Sequence, residues 1–122
     1  MREYLKFYIN GEWVDPVTPK TLDVINPATE GVAGHISMGS AEDVDKAAKA
    51  ARKAFGAWSQ TTREERLEVL GRILTEYQKR YGDIAAAITE EMGAPASLSQ
   101  NAQAAIGVGH LSTAIKIGRA HV

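Results

Sequence analysis

The sequence predicts a small antiparallel β region in residues 1–39, followed by about four helices in residues 40–116. Up to Gly39, β-favouring residues occur in short runs that are separated by turn signals such as Asn10-Gly11. From Ser40 onward, the apolar residues recur with the 3.6-residue period of helices instead of the two-residue period of strands. The change of period at Ser40 therefore predicts that strands precede helices.

Three extended runs make up the predicted β region. Phe7–Ile9 and residues 13–14 flank Asn10-Gly11, the dipeptide that best tolerates the positive φ of a two-residue hairpin turn. A second run, Thr21–Ile25, ends at a proline-containing turn, and a third covers residues 32–38. We therefore expect two or three antiparallel strands.

The first two predicted helices have clear start signals. Ser40 is a natural N-cap of the first, and Thr62 with Glu65 fits the S/T-x-x-E capping box of the second. Each helix has one apolar face. The face of the first consists of Val44, Ala47, Ala48, Ala51, Phe55 and Trp58, and that of the second of Leu67, Leu70, Ile73, Leu74, Tyr77 and Tyr81.

The last two predicted helices differ in polarity. The third follows Gly82 and ends at Gly93, whereas the fourth is expected to be capped by Ser97 or Ser99 and to run to about Lys116. Residues 102–115 are apolar on nearly all sides, and a helix of that kind must be covered on nearly all sides. We therefore expect that a larger body covers the fourth helix.

Composition excludes several function classes. The chain has 122 residues, a net charge of -1 and no cysteine, which excludes disulfides, thiolate nucleophiles and cysteine-bound zinc within it. The balanced charge predicts no nucleic-acid partner. The absence of a long apolar run or a signal peptide predicts no membrane association and a cytoplasmic location.

No motif forms a convincing active site by itself. Gly107-Val108-Gly109 begins like a dinucleotide-binding fingerprint, but it continues a helix, so close helix packing is the favoured interpretation. Glu90 and Glu91 are adjacent on a helix and point about 100° apart, which argues against a small hydrolase that uses them as a carboxylate pair. His110 has no visible partner for a metal.

The order of these segments resembles the start of an aldehyde dehydrogenase. The resemblance rests on INGEW at residues 9–13, INPAT at residues 25–29, the helix EDVDKAAKAARKAFGAW at residues 42–58 and TEEMG at residues 89–93. It covers about residues 6–116, and it implies an α/β parent fold in which residues 1–116 form the N-terminal part of the cofactor-binding domain.

The family oxidises aldehydes to carboxylates with NAD or NADP. The resemblance implies a cysteine nucleophile, an asparagine in the oxyanion hole and a glutamate base, all in a part of the enzyme beyond this sequence. We therefore expect no catalytic or cofactor-binding residue here, no bound NAD or NADP and no activity of the chain alone. The parent enzyme would use a small-molecule aldehyde and form a homodimer or homotetramer.

The resemblance also implies two minor roles. Family members often bind a monovalent cation near the INPA segment, and the corresponding residues here are Val24, Ile25 and Glu91. The last helix borders the substrate entrance in relatives, which points to Ile106, Val108 and His110, although helix packing is the favoured role of each.

Residues 117–122 have a different origin in this interpretation. The string IGRAHV resembles the translation of a common sequencing adapter, so we expect a truncated gene product with a non-native tail. A protein of another class remains open: a non-catalytic helical interaction module that pairs with itself or with a full-length dehydrogenase.

Overall fold

The computed structural model describes residues 2–120, in two compact units. The first unit ends at Gln60 and holds all the strands and the first long helix, and the second unit begins at Thr61 and holds the remaining helices. Few apolar side chains are buried among the described residues: Ala33 in the first unit, and Ala85, Ala104 and Ile115 in the second. Each unit therefore has only a small core.

A β-hairpin in the first unit confirms the turn predicted at Asn10-Gly11. Strands β2 (Phe7–Ile9) and β3 (Glu12–Val14) pair antiparallel, with Tyr8 opposite Trp13. Asn10 has φ 56° and Gly11 has φ 84°, the positive values that a two-residue hairpin turn requires. The rings of Tyr8 and Trp13 lie 5.2 Å apart, so this cross-strand aromatic pair also stabilises the hairpin.

A second, three-stranded sheet has the order β1-β5-β4. Strands β4 (Thr21–Ile25) and β5 (Val32–Ser37) are antiparallel, as predicted, but β1 (Arg2–Tyr4) was not predicted and runs parallel to β5. The expectation of a purely antiparallel β region was therefore incomplete. A Cβ at Gly34 would collide with the carbonyl oxygen of Arg2, so the missing side chain of this glycine lets β1 pair closely.

Helix α1 (Ala41–Trp58) begins at the predicted cap, but its apolar face is not buried. The Ser40 side chain accepts a hydrogen bond from the Asp43 N–H, and the Asp43 carboxylate accepts one from the Ser40 N–H, which completes a capping box. Val44, Phe55 and Trp58 are 65%, 54% and 47% exposed. The apolar face predicted for α1 is therefore exposed on the surface of the described chain.

The second unit begins with α2 (Arg63–Lys79) and α3 (Tyr81–Met92). A capping box of Thr62 and Glu65 starts α2, as predicted. Its predicted stripe is half-buried, except for Ile73, which is more exposed. Tyr81, the last member of that prediction, begins α3 instead. Gly93 ends α3 with φ 68°, the left-handed conformation that favours glycine at a helix C-terminus.

The predicted fourth helix is one continuous helical run in three parts. A single turn, α4 (Ala96–Leu98), leads into a π-helical segment (Ser99–Gln103) and then into α5 (Ala104–Ala120). Ser97 and Ser99 do not cap it, because the run starts at Ala96, before both of them. Within residues 2–120, no helix is both long and apolar enough to cross a membrane.

Candidate functional site

Two residues of the predicted cation site lie at the end of β4. The pairing of β4 with β5 is irregular between Val24 and Ile25, and such a bulge interrupts the regular ladder of backbone hydrogen bonds. A tight turn follows, in which the Asn26 N–H donates to the Gly31 carbonyl at 2.9 Å and the Asn26 side chain accepts from the Ala28 N–H at 2.9 Å. These two hydrogen bonds restrain the turn that follows Ile25.

The third predicted ligand, Glu91, lies on an exposed position in the last turn of α3. It belongs to the second unit, whereas Val24 and Ile25 belong to the first. Within residues 2–120, no cluster of three or more histidine, aspartate or glutamate side chains is placed to hold a metal ion. The proposed site depends mainly on backbone oxygens, so it stays a prediction.

The glycine pair on α5 serves helix packing at one position only. A Cβ built at Gly107 would lie 2.8 Å from Cε2 of Tyr77, and still closer to its Cζ and Oη, whereas one built at Gly109 would meet nothing within 4 Å. Both glycines lie inside a helix instead of at a strand-to-helix turn, so this segment does not fit the pyrophosphate of a dinucleotide. Close packing was the favoured interpretation, and Gly107 confirms it.

The three residues assigned to a substrate entrance do not share one face of α5. Ile106 and His110 are exposed and lie one turn apart on the same side. Val108 is half-buried and lies about 200° around the helix from Ile106. The structure therefore brings Ile106 and His110 together and separates Val108 from them.

The adjacent carboxylates of α3 occupy different environments. Glu90 is half-buried and Glu91 is exposed, and both are in regular helix. Successive helical residues point about 100° apart, which is incompatible with a pair that flanks one bond. The geometry therefore gives no support to a hydrolase.

A buried polar network around the π-helical segment was missed by the sequence analysis. Ser99 is fully buried, its hydroxyl accepts a hydrogen bond from Thr89 at 2.9 Å, and it lies 3.4 Å from the side-chain oxygen of Gln103. The hydroxyls of Tyr77 and Tyr81 donate to the carbonyls of Ala104 and Gln100. These two hydrogen bonds therefore connect α2 and α3 to the helical run that contains the π-helical segment.

One buried carboxylate organises the first unit. Asp43 is 5% exposed, and its carboxylate accepts hydrogen bonds from the N–H of Val17 at 3.0 Å and from the N–H and hydroxyl of Ser40 at 2.9 and 2.8 Å. The Ser40 N–H is the main reason that the pKa of Asp43 lies below its usual value, and the Val17 N–H adds to it. Asp43 therefore fastens the proline-containing loop to the start of α1.

Comparison with known proteins identifies the family. The family model described as "Aldehyde dehydrogenase family" matches residues 13–121. The 3-succinoylsemialdehyde-pyridine dehydrogenase of a Pseudomonas species is 48% identical over 120 residues, which is 98% of this chain and 25% of the relative. A putative aldehyde dehydrogenase of Staphylococcus epidermidis is 49% identical over 114 residues, which is 93% of this chain and 24% of the relative.

Solved structures agree with the sequence comparison. The aldehyde dehydrogenase of Bartonella henselae superposes with a TM-score of 0.97 at 47% identity, over 100% of this chain and 26% of that one. Aldehyde dehydrogenase C of Pseudomonas syringae, solved with NAD+ and octanal, superposes with a TM-score of 0.90 at 43% identity, over 93% of this chain and 24% of that one.

The extent of these matches shows both the family and which part of a family member the chain corresponds to. The chain spans about a quarter of the length of the relatives that it matches. The match to those relatives and to the family model covers nearly all of the chain, at an identity far above what fold similarity alone produces. The chain therefore belongs to the aldehyde dehydrogenase family, of which it is an N-terminal segment.

Proposed function

We propose that this chain is the N-terminal part of an NAD(P)-dependent aldehyde dehydrogenase, in which it has a structural role. The observation that carries the proposal is that nearly the whole chain matches dehydrogenases of the family, over about a quarter of the length of each. Aldehyde dehydrogenase C of Pseudomonas syringae holds NAD+ and octanal in its structure, which supports a nicotinamide cofactor and an aldehyde substrate for the parent of this chain. We further propose that the parent is a cytoplasmic homodimer or homotetramer.

We infer that the 122-residue chain has no dehydrogenase activity by itself. The sequence holds no cysteine, so it lacks the nucleophile that the family resemblance implies. Gly107 and Gly109, the glycine pair of suggestive spacing, lie inside a helix instead of opening a nucleotide-binding turn, and Gly107 packs against Tyr77. Hydride transfer, acyl transfer and cofactor binding are therefore assigned to the rest of the parent enzyme.

We also propose that Val24 and Ile25, through backbone oxygens, and Glu91, through its carboxylate, bind a monovalent cation in the parent. The turn after Ile25 is held by backbone hydrogen bonds, which supports a preformed set of oxygens. Oxygen ligands suit a hard cation. The test uses the longer product of the source gene and compares its free energy of unfolding in K+ with that in choline, a cation too large for such a site. Glu91→Gln is expected to reduce the extra stability that K+ gives, and an unchanged response to K+ would exclude Glu91 as a ligand.

The decisive experiment starts from the source locus. Resequencing is expected to show a reading frame that continues past Lys116 without the IGRAHV string and that contains a cysteine. The purified longer product is expected to reduce NAD+ or NADP+ in the presence of octanal, and the 122-residue chain is expected to produce no reduced cofactor under the same conditions. A reading frame that stops after Val122, or turnover by the short chain, would contradict the proposal.

One observation favours the second candidate, a non-catalytic interaction module. The apolar stripe of α1 is exposed in the first unit, where large side chains on one helix face are positioned to contact another protein surface. A monodisperse and cooperatively unfolding 122-residue product would support this function, whereas a product that aggregates without limit would oppose it.

A further inference from the structure

The hairpin turn places the side-chain amide of Asn10 next to the backbone nitrogen of Gly11. Both residues are exposed, and a Cβ built on Gly11 would meet nothing within 4 Å, so no distant part of the chain crowds this glycine. The pairing of the two strands stops at Ile9 and Glu12, so the Gly11 N–H lies outside the ladder. The turn therefore leaves the Gly11 nitrogen open to reaction with the neighbouring side chain.

We propose that Asn10 is a site of spontaneous covalent modification, at which its amide becomes a carboxylate through a cyclic imide. Asparagine is one of the thermolabile residue types. The Gly11 nitrogen loses its proton to a solvent base and forms a bond to Cγ of Asn10. The bond from Cγ to Nδ2 breaks, the leaving nitrogen takes up a proton, and ammonia departs. Water then adds to either carbonyl carbon of the imide and opens the ring to aspartate or isoaspartate.

The hairpin reaches the geometry of ring closure without losing its strand pairing. With φ 56° at Asn10 and 84° at Gly11, the turn is of type I′. A flip of the peptide plane between these residues gives type II′, the other turn that fits the twist of a hairpin. The flip takes ψ of Asn10 to about −120° and φ of Gly11 to about −80°, which brings the Gly11 nitrogen towards Cγ of Asn10. Glycine adopts either sign of φ, so the flip is open here.

The two other asparagines of the chain lack this combination of features. Asn26 precedes Pro27, whose nitrogen carries no proton to lose, and its side-chain oxygen accepts a hydrogen bond from the Ala28 N–H at 2.9 Å. Asn101 lies within the π-helical segment and precedes Ala102, so rotation of its ψ would break the helical run. Both asparagines therefore serve as internal controls for the reaction at Asn10.

The isoaspartate product is expected to disrupt the hairpin. In isoaspartate the main chain runs through the former side chain, so the turn becomes longer by one carbon atom. The length of the turn sets the register of the two strands, and each strand has only 3 residues to hold that register. The rings of Tyr8 and Trp13, which lie 5.2 Å apart in the paired hairpin, are therefore expected to separate.

Peptide mapping by mass spectrometry tests the proposal on the whole 122-residue chain. The chain is incubated in mildly alkaline buffer, with and without guanidinium chloride, and the loss of the amide is followed at each asparagine. In the folded chain, Asn10 is expected to react within about tenfold of its rate in guanidinium chloride, whereas folding is expected to slow Asn101 by more than that. An intact Asn10 in the folded chain, or equal protection of Asn10 and Asn101 by folding, would overturn the proposal.

Tryptophan fluorescence gives a second readout, which reports on the hairpin itself. In a Trp58→Phe background Trp13 is the only tryptophan, so the emission comes from the hairpin. Asn10→Gly is the matched control, because Gly-Gly also forms a type I′ turn but has no amide to lose. The emission is expected to change as isoaspartate accumulates and to stay constant in Asn10→Gly. A change of equal size in both chains would overturn the inferred effect of the modification on the hairpin.

Discussion

Gly107 is the position at which one added methyl group has the clearest predicted effect. A Cβ there would lie 2.8 Å from Cε2 of Tyr77 and closer to two further atoms of that side chain. The ring is not free to swing away, because its hydroxyl donates a hydrogen bond to the Ala104 carbonyl at 2.9 Å. Gly107→Ala therefore forces either the helices apart or the tyrosine out of its place.

The expected cost follows from three contributions. Overpacking a contact of this kind costs about 1–3 kcal/mol. Loss of the hydrogen bond from Tyr77 adds about 1 kcal/mol, and the better helix propensity of alanine at position 107 returns about 1 kcal/mol. The free energy of unfolding of the second unit is therefore expected to fall by about 1–3 kcal/mol.

Gly109→Ala is the matched control, two residues further along the same helix. A Cβ there meets nothing within 4 Å, so only the propensity contribution applies and the variant is expected to be up to about 1 kcal/mol more stable. Urea unfolding followed by far-ultraviolet circular dichroism measures both changes. The reasoning would be refuted if Gly107→Ala were as stable as the parent chain, or if both substitutions changed the stability in the same direction.

Two further predictions concern buried polar groups. Because its hydrogen bonds hold the folded pKa of Asp43 below the unfolded value, the stabilisation is present above the unfolded pKa and is lost as the pH falls through the folded pKa. The loss of stability on acidification below the unfolded pKa, measured by urea unfolding at a series of pH values, should therefore be smaller in Asp43→Asn than in the parent chain, and an equal loss in the two would contradict the role of this carboxylate. Thr89→Val leaves the buried Ser99 hydroxyl without its donor and should lower the free energy of unfolding, measured in urea, by about 1–2 kcal/mol. Thr75→Val is the control, because the Thr75 hydroxyl donates to an exposed carbonyl of its own helix, and it should lower the same free energy by less than about 0.5 kcal/mol. Equal losses in the two variants would contradict the role of the hydrogen bond from Thr89.

Local signals predicted most of the elements and their ends. The turn at Asn10-Gly11, the capping boxes at Ser40 and Thr62, and the helix end at Gly93 were all confirmed. Each of these features depends on residues within four positions along the chain, so a short window of sequence contains the whole cause.

Elements that depend on distant residues were not predicted. Strand β1 has no apolar alternation, and it forms because β5 offers an edge at which Gly34 admits the backbone of Arg2. The π-helical segment has no sequence signature. Hydroxyls of α2 and α3 donate to carbonyls in or next to it that lie 27 and 19 positions away along the chain, respectively. The same limit applies to the candidate cation site, because its predicted ligands lie far apart in the chain.

The sequence by itself determined the family of this protein, the placement of the strands before the helices, and the absence of a thiol nucleophile. Only the tertiary structure decided which apolar faces are covered: the stripe of α2 is half-buried, and that of α1 is exposed. Both stripes have the same period, and periodicity records only that a face is apolar. Whether that face is buried depends on what else the chain brings against it.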